Sequence, residues 1–420
     1  MPKPALALLR VGIVTAILLF AGGGICAAAV ERPNALDRRI DAIPAATLLA
    51  QPATMLADPE RQDAAERLVN WKLPGWVLIA VFEAIALAYF WRSGAAAALR
   101  DRLRRRIAST SLLRFCFGAA LGLIARLAAL LPAFYLYRVE RIMGLSTQLT
   151  TTWALFWIGH TVLAMLVCGI IAAFVLWLVD RTHQWYVYTI LAILAVSIAW
   201  SNVSPYFDVT TGALSQTNAE VAADMKVLFA HAGLPNVPVY VVDNRTSPAA
   251  DAVIQGMGGS RRIVVPSPLA SASSPAELLY DVAFELGDVG ERAALWIALI
   301  EAAIVIVGAT IAVAIADRVG FRRDDDELSR LALVGALMAV VYLGAVPFRN
   351  AAVRAFDSRD DAYAVTLTGD RAAAVRSIVR ATDQRMDEVC PDISAMLFLD
   401  TRPAPGARIA AINGVANGCP

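Results

Sequence analysis

Residues 151–179 read TTWALFWIGHTVLAMLVCGIIAAFVLWLV, with no Asp, Glu, Lys or Arg anywhere in the stretch. A helix needs about 20 apolar residues to cross the hydrocarbon core of a bilayer. Only helices and closed barrels satisfy their backbone groups there, so the stretch reads as a membrane-spanning helix. Working outward, runs of the same kind occupy roughly residues 75–93, 111–137, 185–203, 293–316 and 327–347. A further run, roughly 8–29, follows Lys3 and Arg10 and ends in Cys26-Ala27-Ala28-Ala29. It reads either as a cleaved signal peptide or as a first span. The expected fold class is an α-helical polytopic membrane protein of about seven spans, with one sizeable water-soluble segment before the last two.

Composition agrees. The 420 residues are 58% hydrophobic and only 17% charged, against roughly a quarter charged in soluble proteins. A net charge of +1 gives no support for a nucleic-acid partner. The implied partner is the lipid bilayer. Cys26, Cys116 and Cys168 lie in apolar runs, where cysteine acts as a small hydrophobe. Cys390 and Cys419 lie in the soluble C-terminal part and can pair in an oxidising compartment.

Orientation follows from the loop after the run at 75–93. It carries Arg92, Arg100, Arg102, Arg104, Arg105 and Arg106 against a single acid, Asp101. The positive-inside rule places that loop in the cytoplasm, and alternating crossings then put residues 204–292 and the C-terminal tail outside. Glu83, Arg126 and Glu301 fall within spans. Charges at that depth face a bundle interior or a hydrated cavity, or else snorkel to the interface, and for Arg126 and Glu301 the cavity is the expectation.

Within the soluble segment, residues 216–232 read as an amphipathic helix with Val221, Met225, Leu228 and Phe229 on one face and Gly233 as its C-cap. Val239-Tyr240-Val241-Val242 is a strand by composition, and Asp251–Met257, Gly258-Gly259-Ser260 and Arg261–Val265 read as strand, turn and strand. Ser274-Pro275-Ala276-Glu277 opens a helix as a capping box with proline at its first position.

In this order the elements resemble the type I CAAX prenyl proteases, membrane-embedded zinc metallopeptidases, from about residue 60 to the end. Gly144-Leu145-Ser146-Thr147-Gln148 is similar to the segment before the family's fourth span, and Ser204-Pro205-Tyr206-Phe207 to the exit from its fifth. Asp251-Ala252 through Gly256, followed by Ser260-Arg261-Arg262-Ile263-Val264-Val265, is similar to its substrate-side hairpin. Pro347 through Asp370, with Arg354, Asp361-Ala362-Tyr363-Ala364 and Thr368-Gly369-Asp370, resembles its third-ligand region, and Arg408-Ile409-Ala410-Ala411 its C-terminal signature. The resemblance implies spans around a large chamber and a small inserted α+β metallopeptidase-like domain. The expected division is a signal peptide or first span at 1–29, a loop at 30–74, four spans within 75–203, the metallopeptidase-like soluble segment at 204–292, two spans within 293–347, and the C-terminal part of that domain at 348–420.

The family's chemistry needs H-E-x-x-H on a helix: two histidines one turn apart bind zinc, the glutamate activates a zinc-bound water, and a later glutamate completes the ligands. The corresponding stretch here is Phe284-Glu285-Leu286-Gly287-Asp288. Phe284 stands at the first histidine and Asp288 at the second, Asp357 replaces the third-ligand glutamate, and only Glu285, the general-base position, is kept. Asp251 replaces the hairpin's usual asparagine, and Arg402 a histidine before the C-terminal prolines. The remaining candidates by resemblance are Gly256 in the hairpin and Asp361 and Arg354 around the site. His160, His183 and His231, the only histidines, sit at no motif spacing.

If Glu285, Asp288 and Asp357 converge, an all-oxygen site suits calcium, magnesium or manganese rather than zinc. The reading preferred is a solvated or arginine-paired remnant, with Arg292 and Arg354 as candidate partners. The expectation is a catalytically inactive relative acting as a binding or regulatory protein in a bacterial cytoplasmic membrane. No cofactor is expected, and a peptide or a membrane protein is the candidate ligand. The alternatives are an active metalloendopeptidase with an altered metal site, which would carry zinc if the family activity is retained, and a channel or transporter using the chamber.

Overall fold

A computed structural model describes residues 33–207, 210–213, 219–233, 237–242, 251–291, 293–321 and 326–419. The apolar run at 8–29, Arg292 and the loop at 322–325 lie outside these residues.

Six helices among the described residues are long and apolar enough to cross a membrane. They are α4 (Pro59–Arg92), α6 (Thr110–Ile142), α7 (Thr150–Arg181), α8 (Trp185–Val203), α12 (Ala293–Phe321) and α13 (Glu327–Thr368). Three of them start at side chains that accept otherwise orphaned backbone N–H groups. Asp58 accepts from Arg61 N ahead of α4, Ser109 from Leu112 N ahead of α6, and Asp326 from Ser329 N ahead of α13. The protein is an integral membrane protein.

The arginine-rich loop forms one end of the bundle. Helix α5 (Ala95–Arg104) lies there, with Arg100 and Arg104 reaching Asp326 at 2.8 and 3.3 Å and Arg114 reaching Asp180 at 2.6 Å. Two of the intramembrane charges have close partners: Arg126 stacks 3.7 Å from the ring centroid of Trp157, and Glu301 accepts from Arg349 at 2.8 Å.

The soluble domain sits at the opposite end. Its sheet runs β1 (Thr210–Ala213), β2 (Val239–Val242), β4 (Arg262–Pro266), β3 (Val253–Gln255). The β1–β2 and β3–β4 pairs are antiparallel and β2–β4 is parallel. Helices α9 (Ala219–Ala232), α10 (Ser267–Ala272), α11 (Pro275–Glu291), α14 (Arg371–Arg385), α15 (Ile393–Phe398) and α16 (Pro405–Asn413) complete it. Met225, Leu228 and Phe229 of α9 are buried, as the amphipathic pattern implies.

The stretch 30–74, expected to be a loop, is largely helical: α1 (Pro33–Asp41), α2 (Ala45–Ala50), α3 (Ala53–Leu56) and the start of α4. Pro33, Pro44, Pro52 and Pro59 each stand at a helix start, where proline's missing N–H and fixed φ do no harm. Ile40, Leu48 and Leu56 are buried in the core of the soluble domain with Val241, Ile263, Leu278 and Ile378. Buried Arg380 of α14 fixes this segment by reaching Glu277, Asp37 and Asp41 at 2.8, 2.9 and 2.6 Å.

Helix α13 positions the site. At 42 residues it extends about 63 Å at 1.5 Å per residue, roughly twice the hydrocarbon thickness. Its first half spans, and it continues through Pro347 to carry Asp357, Asp360 and Asp361 into the soluble domain before stopping at Gly369, whose φ of +69° is a left-handed cap. Cys390 and Cys419 form a disulfide in this C-terminal part, while Cys116 and Cys168 are free thiols in the spans.

Candidate functional site

Helix α11 begins where the capping pattern places it. The Glu277 N–H donates to Ser274 Oγ at 3.4 Å, and the Ser274 hydroxyl donates to Glu277 Oε1 at 3.1 Å. The helix presents Tyr280, Phe284, Glu285 and Asp288 towards α13 and the sheet, and Asp281 towards Ser377 of α14. Its close approach to α13 depends on Gly287, because a Cβ there would collide with the Asp360 carboxylate. The glycine inside the motif is thus a packing requirement of the two acid-bearing helices.

Two of the three carboxylates considered as a possible ligand set, Asp288 and Asp357, come together. Ligand oxygens of Asp288, Asp357 and Asp360 lie within 4.8 Å of one another. Asp360, absent from the sequence motifs, joins them. Its signal was present as the i, i+3, i+4 spacing of Asp357, Asp360 and Asp361 on one helix.

Glu285 is held elsewhere. Its Oε2 accepts the Ile254 N–H of β3 at 2.6 Å, and its Oε1 lies 3.3 Å from Arg402. Arg402 comes from the segment between α15 and α16 and is the centre of the arrangement. It reaches Asp251 at 3.0 Å, Glu285 at 3.3 Å, Asp357 at 3.9 Å and the Ala252 carbonyl at 3.3 Å. Arg354, a candidate partner for the acids, instead donates to the carbonyls of Met396 and Asp400. Its position on α13 turns it towards the C-terminal segment.

Phe284 faces two guanidinium groups, Arg402 at 5.1 Å and Arg408 at 4.9 Å from its ring centroid. The negative face of an aromatic ring attracts such cations. Behind it, Arg408 donates to Asp361 at 2.8 and 2.9 Å, and Tyr280 donates to Asp361 at 2.6 Å. Asp251 also pairs with Arg385. Gly256 adopts φ +80°, and a Cβ there would strike the Ser260 carbonyl, so the hairpin needs glycine at this turn. His160, His183 and His231 lie in α7, in the loop before α8 and in α9, far in sequence from every element of the site.

Electrostatics follow burial. Desolvation pushes Glu285 up to about 8, with Arg402 and the Ile254 hydrogen bond opposing it. Burial likewise raises Asp281 to about 7 against its hydrogen bond from Ser377. Asp251 is desolvated too, but Arg385, Arg402 and Arg408 outweigh this and hold it below the usual carboxylate range.

Residues 215–416 match the model of Peptidase family M48. That stretch of the chain therefore resembles the family M48 peptidases. The "Uncharacterized metalloprotease YhfN" of Bacillus subtilis (strain 168) is 24% identical over 309 residues, which are 70% of this chain and 71% of that protein. The crystal structure of S. mikatae Ste24p superposes with a TM-score of 0.69 at 17% identity, over 95% of this chain and 98% of that one. At that identity the likeness carries the fold alone. It covers both the spans and the soluble domain.

The family implies zinc when active, and the donor set here does not fit it. Zinc takes imidazole, thiolate and some carboxylate ligands, three of them protein groups in a catalytic site. Phe284 has no lone pair, Asp288 and Asp357 offer only oxygen, and the Arg402 guanidinium already stands between Glu285 and Asp357. A dication beside that fixed charge would be repelled. The three-aspartate cluster has the oxygen chemistry of a hard-cation site, but an acidic cluster by itself assigns no ion.

Proposed function

We propose that this protein is a non-catalytic member of family M48, acting as a binding or regulatory protein of a bacterial cytoplasmic membrane. The observation that carries the reading is Arg402, whose guanidinium meets Asp251, Glu285 and Asp357 at once. It supplies, as a fixed side chain, the positive charge a metal would bring, without a Lewis acid or an activated water. Glu285 is then an acceptor for a backbone amide and an arginine, with no water to deprotonate. Phe284 agrees with this state, since its ring favours the neighbouring guanidiniums, whereas a charged imidazole there would be repelled by them. The ligand implied is a peptide or a membrane protein, because the M48 framework of hairpin, helix and spans is retained. The test is a peptidase assay with wild type and Glu285→Gln. The reading expects both to be silent. Cleavage by wild type that Glu285→Gln abolishes would establish the altered-site peptidase instead.

A further inference from the structure

Strand β3 is one of the two outer strands of the sheet. One side of it pairs with β4, through Val253 with Val264, Ile254 with Ile263 and Gln255 with Arg262. Its other side faces α11 and Arg402. An open strand edge is a ready template for an extended segment, which adds by main-chain hydrogen bonds. Here two of the outward groups are already taken. The Ile254 N–H donates to Glu285 at 2.6 Å, and the Ala252 C=O accepts from Arg402 at 3.3 Å. Residues 252 and 254 are two apart, so both groups point to the same side of the strand. They are the carbonyl and the amide that a single residue of an added parallel strand would engage.

Glu285 and Arg402 supply what such a residue would bring, one acceptor and one donor, and they are joined to each other at 3.3 Å. Asp251 steadies Arg402 from behind at 3.0 Å. Beside the occupied edge lies a cavity of about 200 Å³ lined by Ile254, Gly256, Met257, Val289 and Leu295. Room for side chains therefore remains along β3, while this carbonyl and this amide are engaged.

We propose that Glu285 and Arg402 form a built-in strand surrogate, an autoinhibitory contact that closes the β3 edge to extended peptide segments until Arg402 moves aside. The proposal rests on the non-catalytic reading only in requiring that no metal stand between Glu285 and Asp357. The surrogate is specific to the residues at these two positions. A histidine at 402 is too short to bridge Ala252, Asp251 and Glu285 together.

The test uses the full chain in lipid nanodiscs. Amide exchange is followed across residues 251–266, and fluorescence anisotropy measures binding of a labelled ten-residue peptide of alternating Val and Thr. In wild type the Ile254 amide should exchange at least tenfold more slowly than in Glu285→Ala, and the peptide should show no saturable binding. Arg402→Ala and Glu285→Ala should each gain saturable binding, at least tenfold tighter than the wild-type limit. Fast exchange at Ile254 in wild type would overturn the proposal. So would wild-type binding as tight as that of Arg402→Ala, or no gain in a variant whose β2 and β4 amides stay protected. If Arg402→Ala loses that protection, Glu285→Ala and the wild-type exchange rate decide alone. Metal content is read on the same samples. Zinc in wild type would sink the non-catalytic reading, whereas unchanged peptide binding with no metal would sink only the surrogate.

Discussion

Arg402→Ala should destabilise the soluble domain by about 3 kcal/mol. The side chain of Arg402 is 26% exposed and that of Glu285 5%, so the substitution strips a partner from a largely buried pair. Such truncations cost about 3–5 kcal/mol, because the remaining charge is buried without compensation. Two features hold the value at the low end: Asp251 keeps its pairing with Arg385, and Glu285, already pushed up to about 8, can take up a proton. For a domain of this size, about 3 kcal/mol corresponds to a midpoint lowered by roughly 6–12 °C. Thermal unfolding in detergent, followed by tryptophan fluorescence, measures it for Arg402→Ala, Glu285→Gln and the double variant. The double variant should recover about 1–2 kcal/mol of the Arg402→Ala loss, since it no longer buries an orphaned carboxylate. A loss within about 0.5 kcal/mol of wild type, the range of ordinary surface changes, would refute the placement of Arg402 among these acids.

Burial raises Glu285 to about 8, Asp281 to about 7, and Asp383 and Asp400 to about 6. Carboxyls raised above their unfolded value near 4 favour the fold while protonated, so their contribution is lost as pH rises. The unfolding midpoint should therefore be higher at pH 5.5 than at pH 8, and Asp281→Asn should flatten the profile. Gly287→Ala should destabilise by about 1–3 kcal/mol despite a better helix propensity, because its methyl group meets Asp360; an unchanged midpoint would place α11 and α13 further apart. With Ser109 at the arginine end and Ser271 in the soluble domain, cysteine labelling from outside intact cells should mark Ser271→Cys and spare Ser109→Cys. The Cys390–Cys419 link, 29 residues apart in sequence, should add about 3 to 4 kcal/mol by loop closure, read as a lower midpoint in reductant.

The spans were legible because each is a long apolar run, and a run of that length has one physical reading. The strand, turn and helix of 239–291 were legible from β-branched residues, glycines and the capping box, all local signals. The replacement of the ligands was equally plain, since Phe284 has no lone pair whatever the fold. What fills the site was not legible. Arg402 lies 117 residues from Glu285, and no periodicity links them. Only the need of buried acids for a cation hints at such a partner, and it does not say which of many arginines answers. Arg354 was the nearer choice in sequence, but the turn of α13 points it away. The helices of 33–56 were obscured by prolines, which mark helix starts as readily as breaks.

The central claim is that Arg402 stands in place of a metal. Metal content by inductively coupled plasma mass spectrometry, on full-length protein purified without chelator, tests it most directly. Wild type should carry far less than one zinc per chain. Phe284→His, Asp288→His and Asp357→Glu together should still fail to load zinc fully while Arg402 remains, and adding Arg402→His should bring loading towards one per chain. Stoichiometric zinc in the wild type would contradict the account.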